Sequence, residues 1–297
     1  MGSSQRVQRV PLMSRAEAAE EFPFSDVSLS RRLERAEATM NAACVTARAE
    51  QQPGSRAGWI DVDGAHAMFD VVGSPLTQSF GLGLFAVVTD ESMRRLERFF
   101  GDHGAHVFHE VSPLADPSAL QHLTARGYQP IELTSVLFRP IGPTIGLPSP
   151  GAGALRVRRT GTGEAELWTT TAARGWGDTP ELAAFMLEFG QILARREGAL
   201  SFLAEADGTA IAAGAMSITD GIALLAGAST VPEGRRRGAQ LALLRSRLEY
   251  AVEQGCDLAM MCAQPGSGSQ RNAERHGFRV AYTRIKWQRL RDPVDAT

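Results

Sequence analysis

The stretch Val231-Pro232-Glu233-Gly234-Arg235-Arg236-Arg237-Gly238-Ala239-Gln240 joins two segments of different period. Before it, Ile222 to Val231 is an apolar, strand-like run. After it, Leu241 to Val252 has helical periodicity. The stretch therefore reads as strand, glycine- and arginine-rich turn, helix. A helix N-terminus offers free backbone N–H groups and the positive end of the macrodipole, which together favour an anion. Gly238 lets backbone approach a ligand closely, and three consecutive arginines add charge. A phosphate or pyrophosphate site is the first expectation. A solvated charged turn before an ordinary helix is the competing one. Neither a G-x-x-x-x-G-K-[ST] loop nor a G-x-G-x-x-G fingerprint stands at this junction.

Composition bounds the rest. The 297 residues suffice for one large or two ordinary domains, and 43% apolar with 22% charged residues is globular composition. No apolar run approaches a membrane span, and Met1 to Arg6 carry no signal-like core, so a cytoplasmic protein without membrane partners is expected. Arg6 breaks the myristoylation pattern. A formal charge of −2 exerts no global pull on nucleic acid. Cys44, Cys256 and Cys262 are too scattered for a disulfide framework, and the six histidines show no ligand spacing, so no metal is expected.

Outward from the loop, the chain reads as two similar halves. Ser30 to Gln51 is helical. Trp59 to Phe69 is a hairpin turning at Asp63-Gly64, and Ser79 to Val87 is a third strand. A helix capped by Thr89 or Asp90, a strand from His106, a short helix from Asp116 and a strand Ile131 to Phe138 follow. Residues 140–151, with four prolines and three glycines, read as a linker. The second half opens with a strand at Leu155 and two helices. It continues with a meander turning at Asp207-Gly208 and Asp220-Gly221, then the arginine loop and its helix. The strand Leu258 to Ala263, a short helix from Ser269 and the strand Arg279 to Trp287 complete it. Gln121 to Tyr128 parallels Arg271 to Phe278, with glycines 150 residues apart, while Gly64 and Gly208 lie 144 apart. Tandem copies of one fold give such an offset. The expected divisions are an extension over 1–28, a first domain over 29–139, a linker over 140–153 and a second domain over 154–291.

Arg235-x-x-Gly238-x-Gln240 resembles the acyl-CoA loop of the GNAT superfamily of N-acetyltransferases, written Q/R-x-x-G-x-G/A. It departs from that pattern at Gln240. The element order from Leu155 to Arg289, and Gly277-Phe278 after the short helix, are also similar to the family. Ser30 to Arg139 resembles it by topology alone. The resemblance implies an α/β fold with a mixed sheet, as two tandem GNAT-like halves. It implies acetyl-CoA as cofactor and direct acetyl transfer to a primary amine of a small molecule or peptide. Two parallel strands would splay apart, with the pantetheine arm between them. Backbone near Thr230 and Val231 would face the thioester, while Arg235, Arg236, Arg237, Gly238, Ala239 and Gln240 would hold the pyrophosphate. Ser269 or Asn272 would touch the CoA arm, with a plain capping or surface role as the alternative for Asn272.

The family's tyrosine, four residues before the glycine, is Ala273 here. Tyr282 is the substitute acid considered, against a core role. Glu205 and Asp178 are candidate bases; Glu188 reads as solvated. Trp176, with Asp178, flanks the acceptor region, as does Trp168, unless either tryptophan is core. In the first half, Thr89-Asp90-Glu91-Ser92-Met93 replaces the phosphate loop. Its two carboxylates would repel a pyrophosphate, so that half is expected to have lost acyl-CoA binding. A monomer is expected if the halves dock together, a homodimer otherwise. A non-catalytic acyl-CoA sensor is the alternative from another class. A nucleic-acid role for the arginines is disfavoured because no aromatic-basic platform accompanies them.

Overall fold

The computed structural model describes residues 22–147, 155–161, 163–176, 180–196 and 198–290. The first half contains α1 (Val27–Gln51), β1 (Gly58–Val62), β2 (Ala65–Phe69), β3 (Gln78–Phe80), α2 (Asp90–Asp102), β4 (Phe108–Val111), α3 (Pro117–Ala125) and β5 (Tyr128–Pro140). The second contains β6 (Arg156–Arg159), α4 (Ala165–Trp176), α5 (Pro180–Arg195), β7 (Leu200–Ala206), β8 (Thr209–Thr219) and β9 (Ile222–Thr230). It ends with α6 (Ala239–Glu253), β10 (Leu258–Ala263), α7 (Gly268–Arg275) and β11 (Arg279–Arg289).

The three Asp-Gly turns form as the sequence predicts. Asp63, Asp207 and Asp220 have φ of 54°, 52° and 47°, and their glycines 86°, 76° and 77°. Two consecutive positive φ values match the right-handed twist of a tight hairpin. The expected strand over 79–87 is cut to three residues. Gly81 and Gly83 take φ of 85° and 75° and turn the chain out of the sheet. Gly83 also meets α3 so closely that a Cβ there would stand 2.9 Å from the Ala119 Cβ.

All eleven strands join one sheet in the order β1-β2-β3-β4-β11-β5-β10-β9-β8-β7-β6. Within each half the meander is antiparallel and the next strand parallel, as β3 with β4 and β9 with β10. The closing strands change places. β5, from the first half, pairs with β10 of the second, and β11 pairs with β4 of the first. β5 and β11 then pair with each other from Arg279↔Phe138 to Arg289↔Tyr128. Each half's sheet is thus completed by the other half's last strand.

Helices α1, α4 and α5 cover one face of the second-half meander, with Trp168, Leu193, Leu203 and Ala213 in its core. On the other face α6 buries Leu243, Leu244, Leu248 and Ala251 against Phe202, Ala212 and Ala259. Ile141 and Ile145, within the expected linker, pack into that second core. Beneath α1, Arg284 meets three carboxylates, Glu34 at 3.3 Å, Glu37 at 2.8 Å and Glu110 at 2.9 Å. Burial pushes Glu34 up to about 7. Among the described residues no helix is long and apolar enough to cross a membrane. No grouping of three or more His, Cys, Asp or Glu side chains there could hold a metal ion.

Candidate functional site

The site begins as a fault in the ladder. β10 pairs with β9 only at Leu258↔Ile222, Ala259↔Ala223 and Met260↔Leu224. Past these pairs β10 stays with β5 as far as Ala263↔Ser135. β9 departs because it carries a bulge. Ala215 faces Ala226 and Ala213 faces Ser229, so Gly214 opposes both Gly227 and Ala228. Gly227 has φ of 60°, the left-handed conformation that admits the extra residue. The facing backbone edges of Leu225–Thr230 and Met261–Ala263 are left without a ladder partner on that side. Such unpaired edges accept an extended ligand by strand-like hydrogen bonding.

A cavity of about 160 Å³ lies in this gap. Its walls are Leu225 to Ala228 from β9 and Met261 and Cys262 from β10. Gln240, Leu244 and Arg247, one face of α6, form its floor. Ser269, Asn272 and Ala273 of α7 close one flank, and Trp176 stands at the mouth, 40% exposed. α4 brings Trp176 there by lying directly on β9. Ser229 Oγ donates to the Ala172 carbonyl at 2.9 Å, and a Cβ on Gly175 would collide with Ser229 Oγ.

One end of the gap is the arginine loop. Gly238 is the N-cap of α6 with φ 82°, and no side chain caps the helix. Ala242 N–H already bonds the Gly238 carbonyl, so the amides of the first turn before it are free. Arg235, Arg236 and Arg237 are exposed around it. Arg237 is 3.1 Å from Asp207, while the side chains of Arg235 and Arg236 have no partner among the described residues. Gln240, the departure from the family pattern, bridges helix and strand by donating to Thr230 Oγ1 at 2.8 Å. Val231 N–H is committed to the Ile211 carbonyl at 2.9 Å and is not aimed into the gap.

The gap therefore gathers Gln240, Ser269, Asn272 and Trp176, with Arg235 to Ala239 at its end. It does not gather the candidate acid or base. Tyr282 is 8% exposed, and its hydroxyl donates to Glu34 Oε1 at 2.9 Å beneath α1. Burial holds that phenol well above its ordinary pKa. Glu205 is bound to Arg158 at 2.8 Å, at the far edge of the meander. Asp178 lies outside the described residues. Glu188 accepts from Arg48 at 2.6 Å, tying α5 to α1. Trp168 is core, its indole N–H donating to the Gly214 carbonyl at 3.1 Å. Sequence reasoning missed the bulge and Arg247. The signal for the latter was present: an arginine seven residues after Gln240, within the apolar stripe of α6.

The equivalent place in the first half is shut. Thr89 and Ser92 form a capping box at the α2 N-terminus, and Ser92 Oγ also donates to Asp63 at 2.6 Å. The Gly83 carbonyl accepts from Asp116 N–H at 2.8 Å, which seals α3 against the turn.

Residues 165–278 match the model of the Acetyltransferase (GNAT) family. Among solved structures, a GCN5-related N-acetyltransferase from Kribbella flavida is 19% identical with a TM-score of 0.58, over 85% of this chain and 98% of its own. One from Sphaerobacter thermophilus is 21% identical with a TM-score of 0.50, over 85% and 91%. A tandem GNAT protein from the clavulanic acid biosynthesis pathway is 14% identical with a TM-score of 0.57, over 90% and 95%. No curated protein sequence matches the chain. Residues 165–278 are thus similar to the GNAT family, and the chain as a whole shares its fold with a tandem GNAT protein.

Proposed function

We propose that the chain is an N-acyltransferase that carries an acyl group, acetyl in the simplest case, from coenzyme A to a primary amine of a small molecule or peptide. Family and fold support an acyltransferase. The observation that carries the finer reading is the open gap between β9 and β10 with the uncapped α6 N-terminus at its end. The pyrophosphate would sit on the amides of Ala239 and Gln240, with Arg235 and Arg236 free to pair with it. The pantetheine arm would pair with the β9 edge and touch Ser269 and Asn272. The thioester would lie at the Gly227 bulge, where unladdered amides can polarise its carbonyl. The amine lone pair then forms the N–C bond as the C–S bond breaks. Sulfur leaves with the bonding pair, and the proton lost by nitrogen ends on that thiolate or in water. A thiolate is a fair leaving group, so the absence of Tyr282 and Glu205 from the gap is compatible with transfer. We read residues 29–139 as a degenerate copy that supports the catalytic 154–291, and a cytoplasmic monomer or homodimer as its setting. The test is release of free CoA thiol from acetyl-CoA with a panel of amines. Amine-dependent release supports transfer. CoA binding without release on any amine or acyl donor favours the sensor, which Ala273 in place of the family's acid also favours.

A further inference from the structure

Arg247 is unusual in its surroundings. It is 3% exposed on α6. Its Nε donates to the Leu243 carbonyl at 3.2 Å, and its Nη1 to the Ala215 and Ala226 carbonyls at 3.1 and 3.4 Å. Nη2 has no partner among the described residues, and no carboxylate there pairs with the group. Burial alone lowers its pKa to about 10. A buried cation without a counter-ion is costly, and most buried charges are paired. This one lines the gap beside the Gly227 bulge. A charge kept there with carbonyl partners but no counter-ion is placed to meet an anion that arrives with a ligand.

The pyrophosphate is not that anion. Arg247 is seven residues along α6 from Gln240, about 10 Å deeper than the loop. Its bond to the Ala226 carbonyl puts it beside the Gly227 bulge, where the proposed function puts the thioester. It also shares the α6 face with Gln240 and Leu244, the floor along which the carrier would run. We infer that the acyl group ends in a carboxylate, the donor being the mono-thioester of a short dicarboxylic acid, and that Arg247 forms a charge-assisted pair with that carboxylate. The inference rests on the acyl-CoA reading and replaces a bare acetyl with a longer, charged group. The transfer chemistry is unchanged: the new amide carries the free carboxylate, and CoA leaves as the thiol.

The test compares succinyl-CoA with butyryl-CoA, which differ by a carboxylate in place of a methyl, with one amine acceptor held fixed. Thermal shift with CoA alone is measured in parallel. The wild type should show kcat/KM at least tenfold higher for succinyl-CoA. Arg247→Met should lower that value about 30-fold or more and the value for butyryl-CoA by much less, as expected for truncating one side of a buried pair. The wild-type comparison stands even if the variant does not fold. A CoA shift with butyryl-CoA used as well as succinyl-CoA overturns the carboxylate and leaves the acyl-CoA reading intact. An Arg247→Met loss that is equal for both donors overturns it as well, and points to a carboxylate on the acceptor or to a structural role. No shift with CoA overturns both readings together.

Discussion

Gly238→Glu separates the arginine loop as a ligand site from the loop as structure. The wild-type residue has φ of 82°, so any side chain there is strained by about 1 kcal/mol. Space is not the obstacle, since a Cβ would meet only Leu155 Cδ1, at 3.9 Å. A carboxylate at the start of a helix recovers roughly 0.3–1 kcal/mol from the dipole. The variant should therefore fold, destabilised by about 1 kcal/mol or less. Its effect on a bound pyrophosphate is much larger. At about 5 Å and an effective dielectric near 20, two like charges repel by about 3 kcal/mol, roughly a hundredfold in Kd. CoA at 100 times its wild-type Kd stabilises the native state by about 2.7 kcal/mol, or roughly 5 °C in Tm for a chain of this size. The same concentration would be near the variant's Kd and stabilise by only about 0.4 kcal/mol, less than 1 °C. Differential scanning fluorimetry with and without CoA reads both numbers. Equal ligand shifts in wild type and variant would refute the placement of the pyrophosphate.

Other perturbations test the remaining parts. Tyr282→Phe should leave turnover within about twofold, because its hydroxyl faces Glu34 and not the gap, and should lower stability by about 1 kcal/mol; a hundredfold loss of kcat would restore it as the acid. Gln240→Ala removes the bond to Thr230 and should cost about 0.5–1.5 kcal/mol in urea unfolding. Glu34 has a folded pKa raised to about 7 by burial, so the native state holds an extra proton above the ordinary carboxylate range. Its contribution is present at low pH and is lost as pH rises through about 7. Wild-type stability should therefore fall relative to Glu34→Gln between pH 5 and pH 8, and an unchanged difference would contradict the raised value. Residues 155–290 expressed alone should fail to give a soluble, cooperatively melting domain, since β10 and β11 both lose β5; co-expression with residues 22–147 is expected to rescue it.

The local rules written into the chain were readable. Asp63-Gly64, Asp207-Gly208 and Asp220-Gly221 specify their turns by φ alone. Gly238, ahead of an apolar-periodic run, marks the start of α6, and no side chain caps it. What escaped were choices between partners of similar quality. β5 and β11 would pair acceptably within their own halves, so no local pattern in either strand reveals their exchange. Tyr282 looks the same in sequence whether its hydroxyl faces a cleft or Glu34. The bulge at Gly227 needs a register that only the folded pairing of Gly214 defines. The short β3 was legible in hindsight, from two glycines spaced to turn the chain.

The exchange of closing strands also sets a timetable for synthesis. β5 is complete at Pro140, but its neighbour β10 begins at Leu258, 118 residues later, and β11 later still. At about 5–20 residues per second, the first half waits on the order of 10 s with both β4 and β5 short of their final partners. During that interval two bare strand edges are open to the same segments of other nascent chains. Native pairing must then close over long sequence separations, which slows folding. A slow, chaperone-sensitive final step, late in translation, follows from the connectivity of the sheet.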